Sequence, residues 1–148
     1  MFPILIPLIL NFIFQKVVPT KFEEVPSSII QPPGYVFGIV WTVLYLCLGV
    51  HIQWELVDAA DLNITLLFFT VVNLLLNMGW GPFVANTNNY ILGFYWCAGM
   101  LMSSACMIIL SEHKFSQLVL IPYLVWLLVA MLLSLETARP RKHVRFNV

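Results

Sequence analysis

Five long apolar runs, separated by short charged clusters, constrain this chain more than any other feature of its sequence. The runs cover roughly residues 2–18, 33–54, 62–84, 90–110 and 115–135. All seven acidic and all seven basic residues lie between or beside these runs, and none lies in the middle of one. This segregation is expected of helices in hydrocarbon, where a charged side chain at the helix centre costs about 2.5–3.5 kcal/mol.

The length of the runs supports membrane spanning. About 20 residues of helix cross a hydrocarbon core of about 30 Å, so only the first run, which contains Pro3, Pro7 and Asn11, is marginal. It lacks the positive segment and the cleavage site of a signal peptide, so we expect a retained helix. The composition is 61% hydrophobic and 9% charged, far from that of a soluble domain. We therefore predict an all-α integral membrane protein, a five-transmembrane-helix bundle that forms a single domain over residues 1–148.

The distribution of basic residues predicts the orientation of the chain. With five spans, the first loop, the third loop and the C-terminal tail share one side of the membrane. That side carries six of the seven basic residues, and only Lys114 lies on the other side. By the positive-inside rule, the first loop and the basic tail, residues 137–148, are expected in the cytosol. A zero net charge gives no reason to expect a nucleic-acid partner.

Small residues at a spacing of four predict close contacts between helices. One such pair is Gly34 and Gly38, continued by Thr42, and the other is Gly99 and Ser103. We favour packing within the monomer. A homodimer face is the alternative, because the spacing alone does not identify the partner helix.

Groups that could carry catalysis or bind metal are scarce within the runs. His51, His113 and His143 lie near helix ends or in the tail, so they are poorly placed for a metal cluster or for haem ligation. The three cysteines show no metal-ligand or redox spacing. The runs also lack the central acidic or histidine residues of a proton-coupled pump. We expect no metal site and no resident cofactor.

Aromatic rings and amides are what the runs do contain. Trp41 and Trp126 lie well inside their runs, where an indole N–H needs a partner or a ligand. Trp41 and Tyr45 share one helix face at i and i+4, and Asn73 and Asn77 do the same on the next helix. An uncharged cavity lined by rings and amides suits a flat hydrophobic ligand with a few polar edges. Hydrogen bonding between helices, without any ligand, explains these residues equally well.

Three segments carry a resemblance to a known family. They are residues 32–45, PPGYVFGIVWTVLY, followed by Gly49; residues 76–83, LNMGWGPF; and residues 122–130, PYLVWLLVA. In order and spacing, they resemble the motifs of the second, third and fifth helices of the TspO/translocator protein family. Members of this family are also known as tryptophan-rich sensory proteins and as peripheral benzodiazepine receptors.

The resemblance implies a five-helix bundle, often dimeric, with a cytosolic C-terminus and a pocket that opens toward the first loop. It implies porphyrin ligands such as protoporphyrin IX and haem, and in eukaryotes cholesterol and benzodiazepine-type ligands. We expect binding rather than turnover, although light-dependent porphyrin breakdown through the second- and fifth-helix tryptophans stays open. Carried over by motif, the ligand-binding residues are Trp41, Tyr45, Asn77, Trp80, Tyr123, Trp126 and Ala130.

Departures from the family pattern bear on the ligand. Tyr35 replaces the tryptophan that follows the double proline, and Val129 replaces a phenylalanine. Leu135 stands where the cholesterol consensus needs a tyrosine, so we expect porphyrin binding more than sterol binding. The alternatives are a cholesterol or lipid transport protein and a structural membrane protein without a ligand. The resemblance places such a protein in the mitochondrial outer membrane of a eukaryote, or otherwise in a cell or outer membrane.

Overall fold

Helices make up nearly all of the part of the chain that the structure describes. The structure is a computed structural model, and it describes residues 2–19 and 34–138. A short 3-10 helix, Phe2–Leu5, leads into α1, and π-helical turns at Gln53–Val57 and Gly81–Ala85 extend α2 and α3. The five α-helices are α1 (Ile6–Val17), α2 (Gly34–Ile52), α3 (Ile64–Trp80), α4 (Tyr90–Leu110) and α5 (Lys114–Ala138).

Four of the five helices are long and apolar enough to cross a membrane. They run over Tyr35–Val57, Ile64–Ala85, Tyr90–Leu110 and Lys114–Ala138, and the first apolar helix, Pro3–Val17, is shorter. The prediction of an all-α, multi-pass membrane protein with five helices is therefore confirmed. The predicted first loop and tail residues 139–148 lie outside the described residues.

Asparagine side chains begin two of the spanning helices. The Asn63 side chain accepts a hydrogen bond from the backbone N–H of Leu66 at 3.0 Å, and Asn89 accepts one from Leu92 at 3.0 Å. Each bond satisfies a donor that the first turn of a helix leaves unpaired. The short loops before α3 and α4 therefore end at defined residues, and the helices reverse direction there.

The distribution of exposed and buried side chains is the one that lipid requires. Large apolar side chains face outward on every helix, among them Phe12, Ile39 and Ile109, whereas a soluble protein rarely exposes broad apolar surfaces. The interior contains polar groups, including the fully buried Asn73 and Ser104. With no water in the bilayer core, these groups must find partners inside the bundle.

Neighbouring helices form a closed up-and-down arrangement. Helix α4 packs closely against α5 and α3, and α2 packs against α5 and against α1 with its 3-10 turn. Because successive helices alternate in direction, the start of α2 and the ends of α3 and α5 lie at the same end of the bundle. We call this the first-loop end. The second- and third-helix motifs lie toward it, and the fifth-helix motif, residues 122–130, lies at the middle of α5.

The N-terminal segment approaches α2 at Gly49. A Cβ atom placed there would collide with the backbone carbonyl of Ile4, whereas one placed at Gly38 on the same helix would meet no atom within 4 Å. Gly49 is therefore required by the close passage of two backbones. Gly38 is under no such constraint from the described residues.

We expect Gly49→Ala to be less stable than Gly38→Ala by about 1–2 kcal/mol, because the collision at Gly49 involves backbone and no side-chain rotation relieves it. Both variants gain the same helix propensity, so the comparison isolates the packing. Equilibrium unfolding in mixed micelles with sodium dodecyl sulfate, followed by far-ultraviolet circular dichroism, measures the difference. Equal stabilities would contradict the close approach at Gly49.

Candidate functional site

The residues carried over from the family motifs come together between the middle of the bundle and its first-loop end. Leu44, Tyr123 and Leu127 belong to a buried apolar cluster shared by α2, α4 and α5. Trp41, Trp80, Trp126 and Ala130 pack against this cluster and are partly buried. The remaining predicted residues, Tyr45 and Asn77, join it through hydrogen bonds. All seven predicted ligand-binding residues are thus neighbours, on α2, α3 and α5.

A hydrogen-bond chain links three of these residues across three helices. The Tyr45 hydroxyl donates to Asn77 Oδ1 at 2.7 Å, which joins α2 to α3. Asn77 Nδ2 donates to the Tyr123 hydroxyl oxygen at 2.8 Å, which joins α3 to α5. All three side chains are buried, with exposures of 6%, 7% and 1%. Buried polar groups in the bilayer core cannot form hydrogen bonds with water. This hydrogen-bond chain therefore holds the three helices in register.

Asn73 continues the chain to α4, and it was not among the predicted ligand-binding residues. Its Oδ1 accepts from the Tyr123 hydroxyl at 2.8 Å. Its Nδ2 donates to Ser103 Oγ at 2.8 Å, Ser104 Oγ at 2.9 Å and the Met100 carbonyl at 3.0 Å. The sequence signal for this role is the i, i+4 spacing of Asn73 and Asn77 on one face of α3.

Aromatic rings cover the hydrogen-bond chain on the side of α2 and α5. The Trp41 ring centroid lies 5.8 Å from that of Tyr45 and 6.5 Å from that of Tyr123. Trp126 meets the edge of Phe37 with the centroids 5.6 Å apart. These are ordinary distances for attractive ring contacts. Phe37 lies in the second-helix motif, but no feature of that motif distinguishes it from its neighbours.

The indole nitrogen of Trp126 is the unusual group of this cluster. Trp126 Nε1 is buried and has no hydrogen-bond acceptor among the described residues. Trp96, by contrast, donates its indole N–H to the carbonyl of Leu76 on α3. A buried donor without an acceptor costs about 1–3 kcal/mol. Such a group is retained in a protein interior more readily when a ligand supplies the acceptor.

The predicted helix-packing residues separate into two kinds. Ser103 is buried and accepts from Asn73 of α3, and a Cβ at Gly99 would touch the Leu76 side chain of α3 at 3.5 Å. Both residues therefore lie at the α3–α4 contact. Gly38 is exposed, and no described helix packs against it, while Gly34 begins α2. The packing role predicted for Gly38 within the monomer has no counterpart among the described contacts.

A second polar cluster ties α2 to α5 at the opposite end of the bundle. Glu55, only 3% exposed, accepts from the backbone N–H groups of Glu112 and His113 at 3.1 Å each. His51 is fully buried, and its Nδ1 lies 2.8 Å from Ser116 Oγ. Sequence reasoning expected His51 near the membrane interface and did not foresee its burial. A carboxylate at the first turn of α5 is favourable because it meets unpaired backbone donors.

A groove of about 370 Å³ opens beside this second cluster. Its walls include Glu55, Asp58, Asp61 and Glu112, together with Asn63 and His113. None of the seven predicted ligand-binding residues lines it. An acidic groove is unsuited to a flat apolar ligand, so the aromatic cluster around Trp41 and Trp126 remains the better candidate site.

Comparison with known proteins identifies a family and a relative. The sequence pattern of the TspO/MBR family matches residues 2–139, a range that contains all three motif segments. The tryptophan-rich protein TspO of Archaeoglobus fulgidus is 29% identical over 127 residues, covering 84% of this chain and 82% of that protein. The match therefore extends over nearly the whole described bundle, including both of its polar clusters.

Proposed function

Because this chain belongs to the TspO/MBR family, we propose that it is a membrane receptor or carrier that binds porphyrins among α2, α3 and α5. Membership of the family supports the general role of a membrane receptor or transporter. The specific ligand class, protoporphyrin IX or haem, is our proposal. The aromatic cluster around Trp41 and Trp126 and the hydrogen-bond chain beside it support this proposal.

The observation that carries the proposal is the unpaired indole N–H of Trp126. A porphyrin combines a large apolar ring, which rings such as Trp41 and Phe37 can stack on, with carboxylates that accept hydrogen bonds. The residues of the aromatic cluster are uncharged, so burial of the apolar macrocycle among them leaves no charged protein group in a low dielectric. A ligand of this kind would satisfy Trp126 and bury apolar surface at the same time.

Ligand entry would require the aromatic rings to separate. Trp41 and Trp126 are only partly buried. Trp41 lies near the end of the bundle from which the first loop leaves, and Trp126 lies at the middle of α5. Rotation of these two side chains would open a path toward that end without breaking the hydrogen-bond chain beneath. We propose that the ligand enters there, and that it is bound without being chemically changed.

Titration of the purified protein in lipid nanodiscs with protoporphyrin IX, in the dark, tests the proposal. We expect saturable quenching of tryptophan fluorescence at one ligand per chain, with empty nanodiscs giving only a linear response. Displacement of the porphyrin by excess cholesterol would favour the sterol-carrier alternative. A linear response in the presence of protein would show that the porphyrin only partitions into lipid. It would favour the alternative of a structural membrane protein without a ligand.

We further propose that the C-terminus is cytosolic, since six of seven basic residues then lie on the cytosolic side. A reporter that is active only in the cytosol, fused after Val148, tests this orientation. Activity of the fusion supports the proposal. Activity of a reporter fused before Met1, and not of one fused after Val148, would show the opposite orientation in the membrane.

A further inference from the structure

The buried hydrogen-bond chain has a direction that its own chemistry determines. Ser103 and Ser104 each donate their hydroxyl hydrogen to the Met100 carbonyl, at 2.9 and 2.7 Å. A serine hydroxyl carries one hydrogen. With that hydrogen used, each serine oxygen accepts from Asn73. The Met100 carbonyl can only accept, and it lies 3.0 Å from the same Asn73 nitrogen, so the amide is oriented with Nδ2 toward α4 and Oδ1 toward α5.

This orientation passes along the chain residue by residue. Tyr123 donates its one hydroxyl hydrogen to Asn73 Oδ1, so its oxygen can only accept a hydrogen bond from Asn77. Asn77 must therefore direct Nδ2 toward Tyr123 and Oδ1 toward the Tyr45 hydroxyl. Tyrosine has one donor and an amide has two. The end of the chain at α4 thus dictates which atoms the opposite end presents to α2.

We infer that Asn73 is a positioning residue that makes the candidate site a set of hydrogen-bond donors, so that the site selects ligands with an acceptor on their polar edge. Among the described residues, Tyr123 is the one acceptor of Asn77 Nδ2, so the second amide hydrogen of Asn77 is available. The other available group is the Trp126 indole N–H. Both are donors, so a ligand with a carboxylate or carbonyl is satisfied there. This inference rests on the proposed binding site.

A pair of porphyrins that differ only in acceptors tests the inference. Mesoporphyrin IX carries two propionates, and etioporphyrin III has ethyl groups in their place. We expect wild type to bind mesoporphyrin more tightly. The selectivity is the dissociation constant of etioporphyrin III divided by that of mesoporphyrin IX. Asn73→Leu should reduce this ratio by about twofold to tenfold, the worth of one hydrogen bond. Tyr123 is then free to donate to Asn77, whose amide would turn.

A second variant keeps the inference testable if Asn73→Leu does not fold. Ser103→Ala with Ser104→Ala removes two of the three acceptors of Asn73 and should lower the same ratio by a smaller factor. Ser111→Ala is the matched control, because Ser111 donates to the carbonyl of Met107 in the same helix, at 2.7 Å, and does not touch Asn73. It should leave the ratio unchanged.

The outcomes separate the inference from the proposed function. An unchanged ratio in folded variants, with both porphyrins weakened equally, would overturn the positioning role and leave porphyrin binding intact. Failure of wild type to bind either porphyrin saturably would overturn both. A lowered ratio in the Asn73 or serine variants, with Ser111→Ala behaving as wild type, is the result that supports the inference.

Discussion

Tyr123→Phe is expected to lower the free energy of unfolding by about 2–3 kcal/mol, because it leaves two buried polar groups without a partner. Asn77 Nδ2 loses its acceptor and Asn73 Oδ1 loses its donor, while the ring itself stays. Hydrogen bonds between helices in lipid often contribute only about 0.6 kcal/mol each. The loss here is larger because the hydroxyl connects two otherwise separate bonds at a residue that is 1% exposed.

Tyr35→Phe is the matched control for this prediction. Tyr35 belongs to α2 and is 70% exposed, so removal of its hydroxyl should change stability by less than about 0.5 kcal/mol. Unfolding by sodium dodecyl sulfate in mixed micelles compares the two variants directly. If Tyr123→Phe proved as stable as Tyr35→Phe, the hydrogen-bond chain would not be what holds α3 and α5 together.

The double variant Trp41→Phe, Trp126→Phe is expected to raise the dissociation constant for protoporphyrin IX by about tenfold to a hundredfold. Phenylalanine keeps an aromatic ring but loses the indole N–H and part of the stacking surface. Two such losses of about 0.5–1.5 kcal/mol each give this range. Since Trp126 Nε1 has no acceptor among the described residues, its removal costs no hydrogen bond of the unliganded protein.

Trp54→Phe serves as the control for ligand affinity. Trp54 lies on α2's terminal π-helical turn, at the opposite end of the bundle, where its ring contacts His113 and Phe115. Its replacement should leave the dissociation constant within about twofold of wild type, as expected for a residue that makes no contact with the ligand. Porphyrin absorbance, rather than tryptophan fluorescence, should report binding, since the variants differ in tryptophan content. Equal affinities in all three proteins would place the ligand elsewhere.

The fold followed from the sequence because lipid imposes strict conditions on it. A spanning helix has a minimum apolar length, and charges must lie outside it. Those two conditions located four spans to within a few residues and identified the first as marginal. The starts of α3 and α4 have an equally simple chemical basis in the structure, since Asn63 and Asn89 each cap a first turn. What the sequence left open was which helices are neighbours.

The candidate site could be predicted only in part. The motifs on α2, α3 and α5 indicated the residues, and the packing of these helices brought them together inside the bundle. The role of Asn73 required the structure, because it depends on two serines of α4 that belong to none of the three motifs. The contact of Phe37 with Trp126 could not be predicted either, since nothing in the motif distinguishes Phe37 from Ile39 on the exposed face.

Glycine spacing was a weak guide to the packing of α2. The pattern selected Gly38, which meets no other helix among the described residues, and it passed over Gly49, which lies against the N-terminal backbone. Small-residue spacing reports that a close approach is permitted, and does not report where one occurs. The buried His51 and Glu55 were missed for a related reason, because their partners lie more than fifty residues away at the start of α5.

Paramagnetic relaxation can locate the bound porphyrin within the bundle. Manganese(III) protoporphyrin IX would be titrated into protein in nanodiscs in which the five tryptophans are replaced by 5-fluorotryptophan, with single Trp→Phe variants assigning the fluorine signals. We expect the signals of Trp41 and Trp126 to broaden first and that of Trp54, at the opposite end, to stay sharp. Broadening of Trp54 ahead of Trp41 and Trp126, or of all five signals together, would contradict it.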